Sequence, residues 1–275
     1  MASDDTSFSD RGISESIGFL LIFTIVIVGI GLVTLYGYPM LLRQQVGADE
    51  QIMEKNMIVL QNDIKSLAYK LVPYKETSLK TGSGTLVVYN TLTTPATSTI
   101  SITDCNGIIH EDSFRSGDLR YESQSAETDI SLQNGAVVKR DRLIEGSTML
   151  AEPRWFVDDI TNTMVINLIA INSSESLARS GILTAQMDLG VSNYSYIPVG
   201  VGEEVCVEYT PDTNPDVDKR ADFSTAWNNY FTSRMPMTQV SPIGVTPIKY
   251  QVTKPDPNRQ FTLVIKKYEV IIKSL

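Results

Sequence analysis

Two hydrophobic patterns of different kinds occupy the first 73 residues of the chain. The first is an apolar run from Ile17 to Leu35 that contains no charged residue. Its roughly 19 residues, at ~1.5 Å of rise per residue, match the ~30 Å hydrocarbon core of a bilayer. The run is too long, and too poor in small residues at its end, for a conventional cleaved secretory signal. The pattern therefore predicts a membrane-spanning helix over residues 17–36.

The second pattern is an amphipathic helical stripe over residues 44–72. Apolar residues recur there at spacings of four and three, and Val72-Pro73 ends the pattern because the residue before a proline disfavours helix. Together the two patterns predict one long helix over residues 13–73, softened by glycines and kinked near Pro39. We expect the amphipathic part to pack on the sheet that follows. The stripe consists of Met53, Met57, Leu60, Ile64, Leu67 and Leu71.

Beyond the helix, residues 74–275 consist mostly of short β-rich runs separated by turn residues. Residues 74–84 have the composition of a linker, and the polar segment 111–131 predicts loop with short edge strands. Asn134-Gly135 predicts a hairpin turn. The continuous apolar run 164–171 predicts a central strand that is covered on both faces.

One further helix is predicted within the β-rich part. Phe223, Trp227, Tyr230 and Phe231 share one face at helical spacing, and Asp222 can act as the N-cap. Such an aromatic stripe could bind a sugar, but it is more typical of a helix that closes one end of a sandwich. About eight to ten short strands then predict an α+β protein: a long N-terminal hydrophobic helix followed by a mostly antiparallel β-sandwich-like domain.

The net charge and the composition limit the kinds of molecule that the protein can bind. The net charge is −9 and the isoelectric point is about 4.7. An acidic surface repels nucleic acid, and no Lys/Arg cluster in the sequence offers a local basic groove, so we expect no nucleic-acid partner. An acidic exterior suits a soluble domain that is exposed outside a cell.

The two cysteines and the two N-glycosylation sequons both bear on whether the β-rich domain lies outside the cell. Cys105 and Cys206 could form a disulfide if the domain lies outside the cell, or they could be two buried thiols in strands. Asn172-Ser173-Ser174 and Asn193-Tyr194-Ser195 have the sequence of N-glycosylation sites. We expect at least one of them to be used if the domain is extracellular.

The sequence contains no recognisable set of catalytic residues. The single histidine, His110, excludes most metal, Ser-His and Cys-His schemes, and neither a phosphate-binding loop nor a zinc-protease motif is present. Acidic and amide residues alternate from Asp212 to Asp218 like the start of a calcium loop, but Val217 stands where that loop requires glycine. We therefore expect no enzyme activity, no cofactor and no metal.

A polar leader precedes the apolar run and ends in Arg11-Gly12, followed by Ile13 and then Glu15. This arrangement resembles the class III signal peptide of archaeal type IV pilin-like proteins. The resemblance implies that residues 1–12 are a disordered leader, that a prepilin peptidase cuts between Gly12 and Ile13, and that Glu15 becomes the third residue of the mature chain. The alternative is a single-pass signal anchor with a chance Arg-Gly before it.

A second resemblance covers most of the chain. The succession NGAVV, GSTML, EPRWFVDDITNTMVINLIAI and AWNNYF is similar to a family of uncharacterised archaeal membrane proteins from methanogens and halophiles. These proteins share the pilin-type leader and a β-rich outer domain. The resemblance implies the architecture more than the function.

The resulting expectation is a structural subunit of an archaeal type IV pilus-like surface filament. Its N-terminal helix would anchor it in the membrane before assembly and would pack with copies of itself in a helical homopolymer afterwards. The β-rich domain would be a glycosylated, extracellular part of a single-pass protein at the cell surface. The alternative is a single-pass surface binding protein that never polymerises, such as a minor pilin or an adhesin.

Overall fold

Helix occupies the N-terminal quarter of the chain, and strands dominate the rest. The computed structural model describes residues 7–91, 98–212, 222–242 and 244–275. It divides into two units, residues 1–48 and residues 49–275, and the second unit contains all the described strands.

The N-terminal helix consists of three consecutive pieces. Helix α1 spans Ser7–Leu32, a π-helical turn spans Val33–Gly37, and helix α2 spans Tyr38–Lys70. The helix therefore already includes residues 7–12, which we expected in a disordered leader. It ends at Lys70 rather than at residue 73, because Leu71 adopts a left-handed conformation with φ of 52°, a common way for a helix to end.

Fourteen strands and one short helix are described after Lys70. Helix α3 spans Ser224–Ser233. The strands are β1 Tyr74–Tyr89, β2 Thr99–Thr103, β3 Ile109–Arg115, β4 Asp118–Ser123, β5 Thr128–Gln133, β6 Ala136–Asp141, β7 Ser147–Ala151, β8 Phe156–Asp158, β9 Thr163–Ser173, β10 Ala178–Val199, β11 Cys206–Thr210, β12 Met237–Gln239, β13 Ile248–Val252 and β14 Phe261–Ser274.

These strands form two sheets. The large sheet has nine strands in the order β7-β6-β5-β4-β1-β10-β14-β9-β8, and the small sheet has five in the order β12-β13-β11-β2-β3. Among the described strands, β9 and β14 pair in parallel and the other neighbours pair antiparallel. The predicted fold class, a long N-terminal helix followed by a mostly antiparallel β domain, is confirmed.

The large sheet separates two hydrophobic cores, as strand β9 illustrates. Met164, Ile166 and Leu168 contribute to the core shared with the small sheet and α3. Ile169 and Ile171 contribute to the core shared with α2. The prediction that this strand is covered on both faces is confirmed, but its predicted central place is wrong, since only the three-residue strand β8 lies between it and the sheet edge.

The amphipathic stripe packs on the sheet as predicted. Five of its six members, from Met53 to Leu67, are fully buried, whereas Leu71 is exposed because the helix has ended. Gln61 lies on the same face and is 1% exposed. Its Nε2 donates hydrogen bonds to the carbonyl of Gly135 at 2.7 Å and to that of Glu152 at 3.0 Å, so a buried amide ties the helix to two chain turns.

Two segments expected to be irregular are strands instead. Residues 74–84 belong to β1, because Tyr74–Lys80 pairs with β10 before a bulge interrupts the register. Much of segment 111–131 lies in β3, β4 and β5. Its polar residues misled the prediction because several of them are buried, namely Ser116, Asp118, Arg120, Ser123, Thr128, Asp129 and Ser131.

Local signals at the hairpin and the short helix were more reliable. Asn134 and Gly135 connect β5 to β6 with φ angles of 46° and 73°, the two positive values that a tight hairpin turn requires. Helix α3 buries Trp227, Tyr230 and Phe231 against Trp155, as expected of a helix that closes a core. The predicted cap is wrong by one residue, since the N-cap is Phe223.

Candidate functional site

Between residues 17 and 42 the N-terminal helix presents an apolar surface on every side. In the described part of the chain it is the one helix that is long and apolar enough to cross a membrane, and none of its most apolar 18-residue stretch is buried. Nineteen large apolar side chains from residues 17–42 are exposed. They are Ile17, Phe19, Leu20, Leu21, Ile22, Phe23, Ile25, Val26, Ile27, Val28, Ile30, Leu32, Val33, Leu35, Tyr36, Tyr38, Met40, Leu41 and Leu42.

The two threonine hydroxyls in the apolar stretch bond within the helix. The Thr24 hydroxyl donates to the Leu20 carbonyl at 2.7 Å, and the Thr34 hydroxyl donates to the Ile30 carbonyl at 2.9 Å. Internal bonding of this kind is what a lipid environment demands, because hydrocarbon supplies no partners. A methyl group added at Gly29 or Gly31 would meet no atom within 4 Å, so both glycines leave open surface where a neighbouring helix could approach.

A π-helical turn overlaps the end of the apolar run, near the point where we expected Pro39 to kink the helix. The Tyr38 N–H donates to the Val33 carbonyl, one residue further back than in an α-helix. A proline in a helix interior lacks an N–H and clashes with the carbonyl four residues before it. The wider turn over Val33–Gly37 ends two residues before that proline and lets helical structure continue into α2.

The residues of the predicted processing site all lie on one helix. Arg11, Gly12, Ile13 and Glu15 belong to α1. Cleavage between Gly12 and Ile13 stays a prediction.

One protein family covers nearly the whole chain. The model of a family of unknown function, DUF7289, matches residues 11–266. The chain belongs to this family. The match to DUF7289 begins at Arg11 and includes both the apolar helix and the β-rich unit. No curated protein and no solved structure matches this DUF7289 protein.

The two cysteines of the DUF7289 chain are joined by a disulfide. Cys105 follows β2 and Cys206 begins β11, two neighbouring strands of the small sheet. The bond closes a loop with a sequence separation of 101 residues. Lys249 donates to the Cys105 carbonyl at 3.2 Å and so adds a contact from strand β13.

The two sequons differ in accessibility. The Asn172 amide nitrogen donates to a carboxylate oxygen of Glu269 at 2.7 Å, and the Asn172 amide oxygen accepts from the Thr91 N–H at 3.1 Å. Asn193 lies exposed on β10. Asn193 is therefore the more accessible of the two in the folded protein, and glycosylation stays a prediction.

Metal-binding geometry is lacking in the described ranges of the DUF7289 chain. His110 lies on β3, and no group of three or more His, Cys, Asp or Glu side chains there could hold a metal ion. Of the alternating acidic segment, Asp212 is described, whereas Asn214, Asp216 and Asp218 lie outside the described residues.

Asp212 belongs instead to a buried ionic cluster with Asp118 and Arg120. The Arg120 guanidinium contacts Asp118 through Nε at 3.0 Å and through Nη2, and it contacts Asp212 through Nη2 at 3.2 Å. Burial raises the pKa of Asp212 to about 6, although the positive charge of Arg120 opposes the shift. The guanidinium also stacks over the ring of Tyr89.

A cationic surface feature was missed by the sequence prediction. A cleft of about 900 Å³ lies between α2 and the chain that follows β7. Its charged lining residues are Lys65, Lys70, Arg154, Arg234 and a single carboxylate, Glu152; we call these five residues the cationic cleft. Their separation along the chain left no run of basic residues as a signal, and the absence of a nucleic-acid partner stays a prediction.

Proposed function

We propose that this DUF7289 protein is a type IV pilin-like subunit that is anchored in the membrane by its N-terminal helix before assembly and polymerises through that helix afterwards. The observation that carries the proposal is the helix surface over residues 17–42, which is apolar on every side and exposed. A helix that served only to pack on its own domain would be apolar along one stripe.

The exposed surface constrains what the subunit can do outside a bilayer. Burying a large apolar side chain contributes roughly 1.5–3 kcal/mol, so the nineteen exposed side chains represent several tens of kcal/mol. Once it leaves lipid, such a helix must be buried by other helices. Gly29 and Gly31 support this packing, because they permit close approach of a partner backbone.

Processing would free the helix for assembly. In this proposal a prepilin peptidase cuts between Gly12 and Ile13, which removes Arg11 and the acidic residues of the leader. Ile13 then becomes the new N-terminus, and Glu15 is the only acidic residue left before the apolar run.

The test is the N-terminal sequence of the native chain, taken from membranes and from a sheared surface fraction. We expect a start at Ile13 in a sheared, high-mass fraction. Gly12→Leu should retain the leader and abolish filaments, whereas Gly18→Leu, the same substitution six residues later in open space, should be processed normally. A start at Met1 or Ala2 in the native protein would contradict the pilin-like proposal.

A non-polymerising surface binding protein, such as a minor pilin or an adhesin, is the second candidate. The observation that favours it is the cationic cleft on the β-rich unit, a feature that a purely structural subunit does not need. An Ile13 start found in membranes but never in the sheared fraction would support this second function.

A further inference from the structure

The cationic cleft concentrates positive charge on an acidic protein. The whole chain carries a net charge of −9, yet this cleft combines two lysines and two arginines with one carboxylate among its described lining residues. Lys65 and Lys70 come from the last turns of α2, Arg154 from the loop after β7, and Arg234 from the end of α3. The fold therefore brings four separated cations to one place.

Local contacts hold three of the four cations in position, and only Arg234 among these three pairs with a described carboxylate. The Lys65 ammonium donates to the backbone carbonyl of Glu152 at 3.1 Å, and burial together with the nearby positive charge of Arg154 lowers the pKa of Lys65. The Arg154 guanidinium lies 5.1 Å from the centre of the Tyr69 ring. Glu152 pairs with Arg234 at 2.9 Å, and both side chains of that pair are exposed. Among the described residues, Lys65, Lys70 and Arg154 are thus left without a carboxylate of their own.

Tyr69 adds an unused polar group to the same lining. Its hydroxyl oxygen is buried and has no hydrogen-bond partner among the described residues. Buried hydroxyls are almost always bonded in folded proteins. A ligand that reached this lining could supply the partner.

An aromatic surface continues from the cleft along the large sheet. Tyr268 meets Tyr69 edge to face, with ring centres 5.6 Å apart. Tyr194 lies opposite Lys266 on β14, so it shares a face of the sheet with Tyr268, which follows Lys266 by two residues on that strand. Tyr194 and Tyr196 are 66% and 65% exposed. We call Tyr268, Tyr194 and Tyr196 the aromatic ledge.

The two exposed tyrosines of the ledge are arranged as a fixed pair. Their rings meet edge to face at 5.6 Å, a geometry that stabilises aromatic pairs. Large aromatic side chains that remain in water, yet are held by one another, offer flat apolar faces with a polar rim. Such faces suit the C–H-rich face of a sugar ring.

We propose that the cationic cleft and the aromatic ledge bind an acidic oligosaccharide. The arginine forks match the geometry of carboxylate and sulfate groups, and the ledge would stack sugar rings. Asn62 and Ser66 in the cleft lining supply further groups for sugar hydroxyls. The cleft volume of about 900 Å³ falls within the range of small-ligand sites. This proposal concerns the β-rich unit and does not depend on whether the protein polymerises.

The test uses the full-length chain in nanodiscs of zwitterionic lipid, because sugar-based detergents would compete. Calorimetric titrations compare a galacturonate hexamer, a sulfated heparin hexasaccharide and neutral maltohexaose. We expect saturable binding of at least one acidic hexamer, with maltohexaose at least about tenfold weaker. The two acidic probes distinguish a carboxylate-binding from a sulfate-binding site.

Matched double variants separate the cleft from general electrostatics. Lys70→Glu with Arg234→Glu should weaken binding by about tenfold or more. Lys55→Glu with Arg179→Glu makes the same change of net charge at two other exposed positions, and it should leave the affinity within about twofold. The double variant Tyr194→Ala with Tyr196→Ala should weaken the binding of both acidic oligosaccharides.

Three outcomes would overturn the proposal. The first is that neither acidic hexamer binds. The second is that the two charge-reversed double variants lose affinity equally, which would indicate unspecific attraction. The third is tighter binding of an oligothymidylate of the same charge, which would assign the cleft to nucleic acid.

Discussion

Replacing Asp212 by asparagine should change how the stability of the protein depends on pH. Arg120 is one buried cation that faces two carboxylates, and the side chains of Arg120, Asp118 and Asp212 are only 8%, 3% and 11% exposed. Asp118 bonds to two guanidinium nitrogens, whereas Asp212 bonds to one. Burial raises the pKa of both carboxylates, and since Arg120 balances one negative charge, we expect Asp212, which has the single guanidinium contact, to take up the proton.

The sign and size of the effect follow from the pKa of this group. Burial raises the pKa of Asp212 from 3.8 to about 6, so the folded state binds a proton that the unfolded state releases between these values. The free energy of unfolding that this proton contributes is complete below pH 3.8 and is lost as the pH rises through 6. Between pH 5 and pH 7 the loss amounts to about 1.3 kcal/mol.

Urea unfolding of the full-length protein at pH 5 and pH 7 measures this difference. The fluorescence of Trp155 and Trp227 reports on it, since both side chains are buried in one core. Asp212→Asn removes the titrating group, so the stability difference between wild type and variant should change by about 1.3 kcal/mol between the two pH values. Asp159→Asn, at an exposed position, serves as the control and should show no such change.

Two results would refute this reasoning. A difference between wild type and Asp212→Asn that is the same at both pH values would mean that the carboxyl does not take up a proton in this range. An equal change in Asp159→Asn would assign the effect to general surface charge.

Three further predictions concern stability. Gln61→Leu removes the buried donor of the Gly135 carbonyl, whereas the Glu152 carbonyl keeps its bond from Lys65, and the change should cost about 1–3 kcal/mol in urea unfolding. Gly117→Ala should cost about 3 kcal/mol or more and lower Tm, because φ is 58° and the added carbon would lie 2.1 Å from the Ile171 carbonyl oxygen. Cys105→Ser with Cys206→Ser should cost about 4–5 kcal/mol for so long a loop, and only the wild type should change its gel mobility on reduction.

The elements that could be predicted from sequence are those whose pattern is set by their own local residues. The stripe from Met53 to Leu67 repeats at helical spacing and is buried, so its docking on the sheet followed from periodicity alone. Asn134-Gly135 specified its turn because few other residue pairs adopt two positive φ angles. The aromatic face of Trp227, Tyr230 and Phe231 likewise predicted a helix that covers a core.

The elements that were missed depend on distant partners. Tyr74–Lys80 forms a strand because it pairs with β10, about a hundred residues away in the sequence. The bulge between Lys80 and Thr85 accommodates Gly82 and Gly84. Asp118, Arg120 and Ser131 were assigned to loop because polar residues normally lie in water. In this protein all three are buried, and for Asp118 and Arg120 the ionic contacts between them compensate for the loss of water. Hydropathy along the chain does not reveal such compensation.

The cationic cleft is the clearest case of information that exists only in three dimensions. Net charge sums over the whole chain, and a search for basic runs examines neighbours in sequence, so neither detects four cations that come from α2, the loop after β7 and the end of α3. Contacts within the fold keep two of these cations in the cleft, because Arg154 packs against Tyr69 and Lys65 donates to the Glu152 carbonyl. Placing like charges together costs stability in an otherwise acidic protein that has carboxylates available to separate them. A binding role for the cleft would explain that cost, and it would place recognition on the unit of residues 49–275 rather than on the exposed apolar stretch 17–42.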